Sequence, residues 1–294
     1  MEAYLVAIGI IALIYVLLSL GLTLQYGLTG LINFGHVGFF AIGAYTSALL
    51  VMNGAPFIVG FAGAALLAGI AAWPIGLVSL RLRDDYFAIV TLGFSEVVRI
   101  VLTSERWLTN GVQGIPGIPR LYSELGGAAG QIATFATILA VTVAAAWLIR
   151  RIAGSPFGRI IEAIRDNEEA VQALGKDPPR FKIQVLVVGA ALAGIAGAFY
   201  AHYITYIVPE QYIPLVTFYV WMAIIMGGVG RVSGAVIGSV ILMAFLEGSR
   251  FIRDVIPWIS EVDMASVRIG LVGLLLILFI IYRPQGLMGD YTKR

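Results

Sequence analysis

Charged residues are scarce in this sequence. Of its 294 residues, 12% are Asp, Glu, Lys or Arg, whereas soluble proteins carry about 25%. Hydrophobic residues make up 60% of the chain, and its mean hydropathy is +0.93. A soluble core cannot accommodate this much apolar sequence, so we expect the chain to lie mostly in membrane lipid.

Cysteine is absent and histidine is rare. Without cysteine, the chain has neither a disulfide framework nor a thiolate metal site. His36 and His202 are too few for a histidine-rich metal centre, so we predict that the chain binds no metal. They also lack carboxylates at motif spacing, which argues against a membrane enzyme. The net charge of +2 gives no sign of nucleic-acid binding.

Basic residues are missing from the start of the chain. No lysine or arginine precedes Arg81, although the first apolar run extends to about residue 26. A secretory signal has a basic beginning and a short apolar core. This run is too long and lacks the basic residues, so it predicts a retained transmembrane helix.

Long apolar runs recur along the whole chain. A membrane-spanning helix needs about 20 mainly apolar residues. Candidate spans lie at 5–26, 28–52, 57–80, 86–103, 131–150, 182–207, 213–229, 232–248 and 267–282. Glycine is frequent in the second span and in the 213–248 pair, where we expect broken or re-entrant helices. The predicted fold class is an all-α polytopic integral membrane protein with eight or nine transmembrane helices, forming a single domain over 1–294.

The connection over 150–182 is the most basic part of the chain. Its lysines and arginines are Arg150, Arg151, Arg159, Arg165, Lys176, Arg180 and Lys182. Basic residues concentrate in cytoplasmic loops, so we place this connection in the cytoplasm. Alternation then puts the N-terminus and the loops 104–130 and 249–266 outside, and the C-terminus inside.

This connection also contains a short polar helix with defined ends, predicted at about 167–174. Asp166 and Glu169 are spaced like a capping box, and Glu168 lies in the first turn, where the helix dipole favours anions. Gly175 suits the left-handed position after a helix, and the prolines at 178–179 prevent its continuation. The helix either lies on lipid headgroups or docks on a soluble partner. Acidic residues beside an anionic leaflet favour the partner.

Four polar residues lie at membrane depth. Asn33 and His36 are three apart in YGLTGLINFGHVGFF, so in one helix they would share a face; Glu96 and Arg99 have the same spacing in DDYFAIVTLGFSEVVRI. Polar groups in lipid turn toward the bundle interior or a cavity. Each pair therefore either stabilises packing or lines a translocation pathway.

No P-loop is present, because LGKDPP lacks the first glycine and has Asp after Gly-Lys. The stretch EAVQALG at Glu169 to Gly175 resembles the EAA-type motif of ABC-importer permeases. Seven blocks follow one another in order: YGLTGLINFGHVGFFAIGAYTSALL, DDYFAIVTLGFSEVVRI, LTNGVQGIPGIP, SPFGRIIEAIRDNEEAVQALG, ALAGIAGAFYA, MGGVGRVSGAVIG and YRPQGLMG. In this order the chain resembles the LivM-type permeases of branched-chain amino acid ABC importers, over roughly residues 22–289.

The resemblance implies a membrane subunit whose short helix inserts into an ATPase subunit. The implied coupling residues are Asp166, Glu168, Glu169, Ala170, Leu174 and Gly175. The implied partners are a LivH-type permease, two ABC ATPase subunits, an extracytoplasmic or periplasmic substrate-binding protein and membrane lipid, in a bacterial or archaeal cytoplasmic membrane. ATP and magnesium would bind the ATPase partners, and this chain would bind no cofactor.

Two alternatives remain open on the residues alone. Urea and short-chain amide importers have closely similar permeases, so the cargo is either a branched-chain amino acid or one of these. A channel or secondary transporter working alone would also use broken glycine-rich segments and charges at membrane depth.

Overall fold

The computed structural model describes residues 2–79 and 84–255, together with 270–271, 273–274, 277–278, 281–282 and 285–288. Helices dominate this part of the chain, so the predicted all-α class is confirmed. The long helices are α1 (Glu2–Leu22), α2 (His36–Met52), α3 (Phe57–Ser79), α4 (Asp84–Ser104), α6 (Gly127–Ala153), α9 (Pro178–Ile204), α10 (Pro214–Gly227) and α11 (Val232–Val255). The shorter helices are α5 (Arg106–Thr109), α7 (Pro156–Asp166) and α8 (Glu168–Ala173).

Two glycine-rich segments are broken, as predicted. The first helix continues as a π-helical turn, Thr23–Gly27, and residues 28–35 are then non-helical before α2 begins. The second break joins α10 to α11 through a short turn and bends the pair by 119°. Irregular backbone at membrane depth requires polar partners within the protein. The first break is largely buried, whereas the turn of the second break exposes Val229 and Arg231.

Five helices in the described residues are long and apolar enough to cross a membrane, and the bent pair raises the number to six if it forms one span. This number is lower than the predicted eight or nine for three reasons. With 17 residues, α2 is a shorter apolar helix because its first turns are lost to the break, and α10 and α11 count as one bent unit. The predicted span at 267–282 and the loop at 249–266 lie largely outside the described residues.

The centre of the bundle is α9, which packs against α1, α2 and α3. Small residues bring these helices unusually close. A Cβ placed on Gly43 of α2 would overlap the backbone of Gly194 in α9. Because lipid provides no hydrophobic force between helices, such close contact through small residues is a main source of their cohesion.

Each end of the bundle carries its own set of short elements. At one end, β1 (Ile115–Pro116) pairs with β2 (Tyr206–Ile207) in an antiparallel ladder, beside the 3₁₀ turns Gly111–Gln113, Ser123–Leu125 and Pro209–Gln211. At the opposite end lie α7 and α8, where Arg165 of α7 donates a hydrogen bond to Gly27 at the end of the π-helical turn. We call the end with the ladder the outer end, following the prediction that the basic connection lies in the cytoplasm.

Candidate functional site

The short helix α8 begins at a side-chain cap. Asn167 has extended backbone angles, and its side-chain oxygen accepts a hydrogen bond from the Ala170 amide at 3.0 Å. The prediction that Asp166 caps this helix is wrong. Asp166 is the last residue of α7, and its carboxylate accepts hydrogen bonds from Arg165. Asp and Asn are comparably good caps, so adjacent candidates are distinguished only by the backbone angles.

Gly175 terminates α8, as predicted. Its φ is +77°, in the left-handed region. The Lys176 amide donates to the Val171 carbonyl and the Gly175 amide donates to the Gln172 carbonyl, which together form a Schellman motif. A Cβ on Gly175 would meet no atom within 4 Å. Backbone conformation, and not crowding, therefore favours glycine here.

The outer surface of α8 combines acids with an exposed leucine. Glu169 and Ala170 are exposed, and 81% of Leu174 is accessible. Val171 is buried, whereas Leu174 is the C-terminal cap beyond the last helical residue, so the two side chains have different surroundings. The leucine is an exposed apolar side chain beside a helix whose two ends are fixed.

An ion pair attaches the other side of α8 to the bundle. Lys182 Nζ of α9 donates to Glu168 Oε2 at 2.6 Å. The lysine side chain is largely buried, whereas the glutamate is about half exposed. A lysine is seldom buried unless it is paired, and Glu168 is one such partner. The two glutamates of α8 thus face different surroundings.

Arg165 connects the end of α7 to the membrane helices. Its Nη1 donates to the Gly27 carbonyl at 2.8 Å, and its Nε and Nη2 donate to Asp166 Oδ1 at 3.1 and 3.0 Å. Gly27 is the last residue of the π-helical turn. The predicted coupling region and the first broken segment are therefore joined by a direct hydrogen bond.

Asn33 lies inside that broken segment and is fully buried. Its Nδ2 donates to Gln25 Oε1 at 2.9 Å, and its Oδ1 accepts from the Gly35 amide at 2.9 Å. Its backbone carbonyl accepts from the Trp221 indole at 3.1 Å, and Gln25 Nε2 donates to the Leu186 carbonyl. This network holds the break against α9 and α10.

His36 is the first residue of α2, and its ring Nε2 lies 3.1 Å from the Leu18 carbonyl. Asn33 precedes the helix, so the expectation that the two residues share a helical face is wrong. Both are buried in protein. Two threonine hydroxyls bind backbone amides at the end of the break and the start of α2. The Phe34 amide donates to Thr91 Oγ1, and the Val37 amide donates to Thr217 Oγ1.

Glu96 and Arg99 form the predicted ion pair on α4. Arg99 Nη2 lies 2.8 Å from Glu96 Oε2, and about a third of each side chain is exposed. The pair lies in the half of α4 nearest the outer end, where α4 packs against the turns Gly111–Gln113 and Pro209–Gln211. A mutual pair reduces the cost of placing either charge near lipid.

Two neighbouring cavities open at the outer end, and both are lined by Tyr203 and Ile204. One, of about 690 Å³, is lined by Arg120 and the beginning of α6. The other, of about 390 Å³, is lined by Glu247, five tyrosines and apolar residues of α1 and α11. Opposite charges therefore flank one short region of the outer end.

Across residues 2–79, 84–255 and the described positions after 269, no group of three or more His, Asp or Glu side chains could hold a metal ion. The His202 ring instead connects the loop at Pro119 with α2. Its Nδ1 lies 2.8 Å from the Pro119 carbonyl, and its Nε2 lies 2.9 Å from Ser47 Oγ.

Sequence reasoning missed several of these polar contacts. Arg165 and Lys182 were recognised as basic residues of one loop, and their partners Gly27 and Glu168 could not be inferred from spacing. Gln25 had a visible signal, since it is a polar residue near the end of an apolar run. Trp221 had none, because a tryptophan in an apolar helix is ordinarily a packing residue.

Comparison with known proteins agrees with the resemblance seen in the sequence blocks. A family described as branched-chain amino acid transport system / permease component matches residues 4–280. The chain is 34% identical to the high-affinity branched-chain amino acid transport system permease protein LivM of Escherichia coli, over 96% of this chain and 69% of that protein. It is 28% identical to the probable branched-chain amino acid transport permease protein LivM of Methanocaldococcus jannaschii, over 94% and 91%. It is also 27% identical to LivH of Escherichia coli, again over 94% and 91%. No solved structure matches the chain.

Proposed function

The chain belongs to the permease family of branched-chain amino acid transport systems, and on this premise we propose that it pairs with a LivH-type permease in an ATP-driven importer. It is a multi-pass membrane permease, and its relatives occur in bacteria and archaea. It is not itself an ATPase, and its sequence carries no P-loop. The energy for transport must then come from two separate ATPase subunits, which bind ATP and magnesium.

The observation that carries this proposal is the form of α8. It is a helix with a cap at each end, an exposed leucine and an exposed acid, and it is held to the bundle by Glu168 and by Arg165 of α7. A lipid-bound helix needs a broad apolar face, which six residues with exposed acids do not provide. We propose that Asp166, Glu168, Glu169, Ala170, Leu174 and Gly175 form the ATPase-coupling unit. In this scheme 1–294 is one transmembrane domain, and 150–182 is its cytoplasmic connection.

The proposed pathway follows the polar residues at membrane depth. Asn33 and His36 are enclosed by protein in this conformation, so a pathway beside them opens only when the broken segment moves. Glu96 and Arg99 lie nearer the outer end, which would also receive an extracytoplasmic substrate-binding protein. Polar groups at membrane depth that face protein or cavities support such a pathway.

The proposed cargo is leucine, isoleucine or valine. A zwitterion requires groups of both charges, whereas urea and short amides are neutral. Arg120 and Glu247 line adjacent outer cavities that also have apolar walls, which favours the amino acid. With Arg120→Gln or Glu247→Gln, leucine uptake should fall several-fold. Unchanged leucine uptake in both variants would remove this support.

The assembled importer provides the test of function. We would reconstitute the chain in vesicles together with a LivH-type permease and the two ATPases. The binding protein is supplied on the side of the outer end, and ATP on the side of the ATPases. Labelled leucine should accumulate only with ATP, whereas labelled urea should not. Uptake by the purified chain alone without ATP would support a channel or secondary transporter. Uptake of urea in place of leucine would support the amide-importer alternative.

A further inference from the structure

Three chain segments meet at Arg165. These are the end of α7, the π-helical turn before the first break, and the turn between α10 and α11. Arg165 Nη1 donates to the Gly27 carbonyl at 2.8 Å. A Cβ on Gly30 would lie 3.1 Å from Arg165 Cγ, and a Cβ on Gly230 would lie 3.6 Å from its Nη1. Arg165 is therefore packed between the two glycine-rich breaks as well as hydrogen-bonded to one of them.

The chemistry at Gly27 suits a guanidinium. The last carbonyls of a helix lack intrahelical partners and carry partial negative charge. The Gly27 carbonyl is in this position, because residues 28–35 do not continue the helix. The Asp166 carboxylate binds Nε and Nη2 and so orients the guanidinium, which leaves Nη1 pointing at Gly27. A planar guanidinium can make both sets of bonds at once, whereas a lysine ammonium cannot reproduce this fork.

The segment held by Arg165 is the least regular part of the membrane core. It continues into the network of Asn33, whose partners lie in the π-helical turn and on α10, and into the amides bound by Thr91 of α4 and Thr217 of α10. A displacement of the Gly27 carbonyl would thus reach α4, α9 and α10 through hydrogen bonds.

Gly30 and Gly230 also explain why the contact can form. Both have φ in the left-handed region, +80° and +83°, and neither has a side chain to occupy the space of Arg165. The C-terminal end of α10, just before the turn to α11, makes a further contact. The Leu287 and Met288 amides donate hydrogen bonds to the carbonyls of Met226 and Gly227. Both breaks are therefore attached to one polar junction at the cytoplasmic end.

We infer that Arg165 is a positioning residue that transmits movement of α7 and α8 to the first broken segment through its hydrogen bond to Gly27. The inference rests on the proposed function, because it presupposes that an ATPase moves α8. Arg165 does not contact the ATPase or the cargo in this account. Its loss should separate ATP hydrolysis from transport while the subunits remain assembled.

The test compares Arg165→Ala, Arg165→Lys and Arg159→Ala in the complete importer. Arg159 is an exposed arginine on the same helix and serves as the matched control. For Arg165→Ala we expect normal co-purification of the ATPases and continued hydrolysis. Uptake per ATP hydrolysed should fall about tenfold or more, the size expected for losing a hydrogen bond from a charged donor. Arg165→Lys should recover part of this loss, and Arg159→Ala should match wild type.

Hydrogen exchange gives a second measurement. In Arg165→Ala, amides of residues 28–35 should exchange faster, while those of α8 stay at the wild-type rate. If Arg165→Ala keeps the wild-type uptake per ATP hydrolysed, the inference is overturned, but the proposed function is not. Loss of the ATPases from the purified complex would also overturn the inference, since Arg165 would then act in docking or folding. Absence of ATP-driven uptake in the wild-type complex would instead overturn the proposed function, and the inference with it.

Discussion

Helix α8 and the broken segment at 28–35 are both polar regions of an apolar protein, but they satisfy their polar groups in opposite ways. The exposed Glu169 of α8 faces solvent, and the backbone ends of the helix are closed by the adjacent residues Asn167 and Gly175. The broken segment is largely buried, and its polar groups are bound by side chains from the π-helical turn, α4 and α10. The first region is therefore locally determined, whereas the second depends on the whole bundle.

This difference has consequences for how each region tolerates change. A substitution on the surface of α8 alters what the helix can contact and leaves the bundle intact. A substitution in the broken segment leaves buried groups without partners, which is the more costly event. The following predictions test this contrast, from the largest expected effect on stability to the smallest.

Asn33→Leu should destabilise the protein most. It removes the partner of Gln25 Oε1 and of the Gly35 amide, both of which are buried. Each unsatisfied buried group costs about 1–3 kcal/mol, so the midpoint of thermal unfolding in detergent should fall markedly. Asn53→Leu, at an exposed asparagine, is the matched control and should change the midpoint little. Equal midpoints for the two variants would contradict the proposed dependence on burial.

Glu168→Gln should have the next largest effect. It removes the Glu168 carboxylate from the largely buried Lys182 ammonium, and a hydrogen bond to a charged group contributes about 1.5–3 kcal/mol. Replacing the lysine as well, in Glu168→Gln with Lys182→Met, should restore part of the loss, because the charge that is costly to bury is then removed too. A thermal unfolding series of the two variants measures this. If the double variant is less stable than the single one, the pair is stabilising in itself.

Gly175→Ala should cost about 1 kcal/mol, because a residue with a Cβ must adopt the left-handed backbone that closes α8. No neighbour obstructs the methyl group, so the effect is confined to the end of the helix. Amide exchange at Lys176 should accelerate, and ATPase co-purification should weaken more than thermal stability. Gly93→Ala, within the regular helix α4 and also unobstructed, should leave both measurements at wild type.

Leu174→Asp should change stability least, since the side chain is already exposed to solvent. Because the leucine is the apolar contact of α8, we expect ATPase co-purification to fall sharply at an unchanged unfolding midpoint. Leu174→Met keeps an apolar side chain and should retain the ATPases. Normal recovery of the ATPases with Leu174→Asp would exclude Leu174 from the docking surface.

The contrast also shows which features were accessible from the sequence. The ends of α8 follow from a polar cap, a glycine and two prolines, all within a few residues of each other. The ion pair Glu96–Arg99 follows from a spacing of three in one helix, and it forms as predicted. Each of these depends on neighbours in the chain. The N-terminal cap of α8 was not predicted correctly from these neighbours. The cap is Asn167 and not Asp166, because α7 continues to Asp166.

The contacts that join separate segments were not accessible in this way. Gly27 and Arg165 are 138 residues apart, and Asn33 and Trp221 are 188 apart. Spacing carries no information over such distances. The sequence indicated a break near Asn33 from its glycines, but the partners that make the break stable belong to other helices.

By itself, the sequence determined that this chain is an all-α membrane protein of the permease family, with a basic connection that carries a closed, exposed helix. Hydropathy, charge placement and local caps suffice for the fold class and the helix, because each depends on a short stretch of chain and its solvent, whereas the family follows from the resemblance of the ordered sequence blocks. Only the tertiary structure decided that this connection is hydrogen-bonded to the broken segment, and that Asn33 and His36 are enclosed by protein. The physical reason is that buried backbone groups must find partners wherever the packed helices bring them, irrespective of distance along the chain.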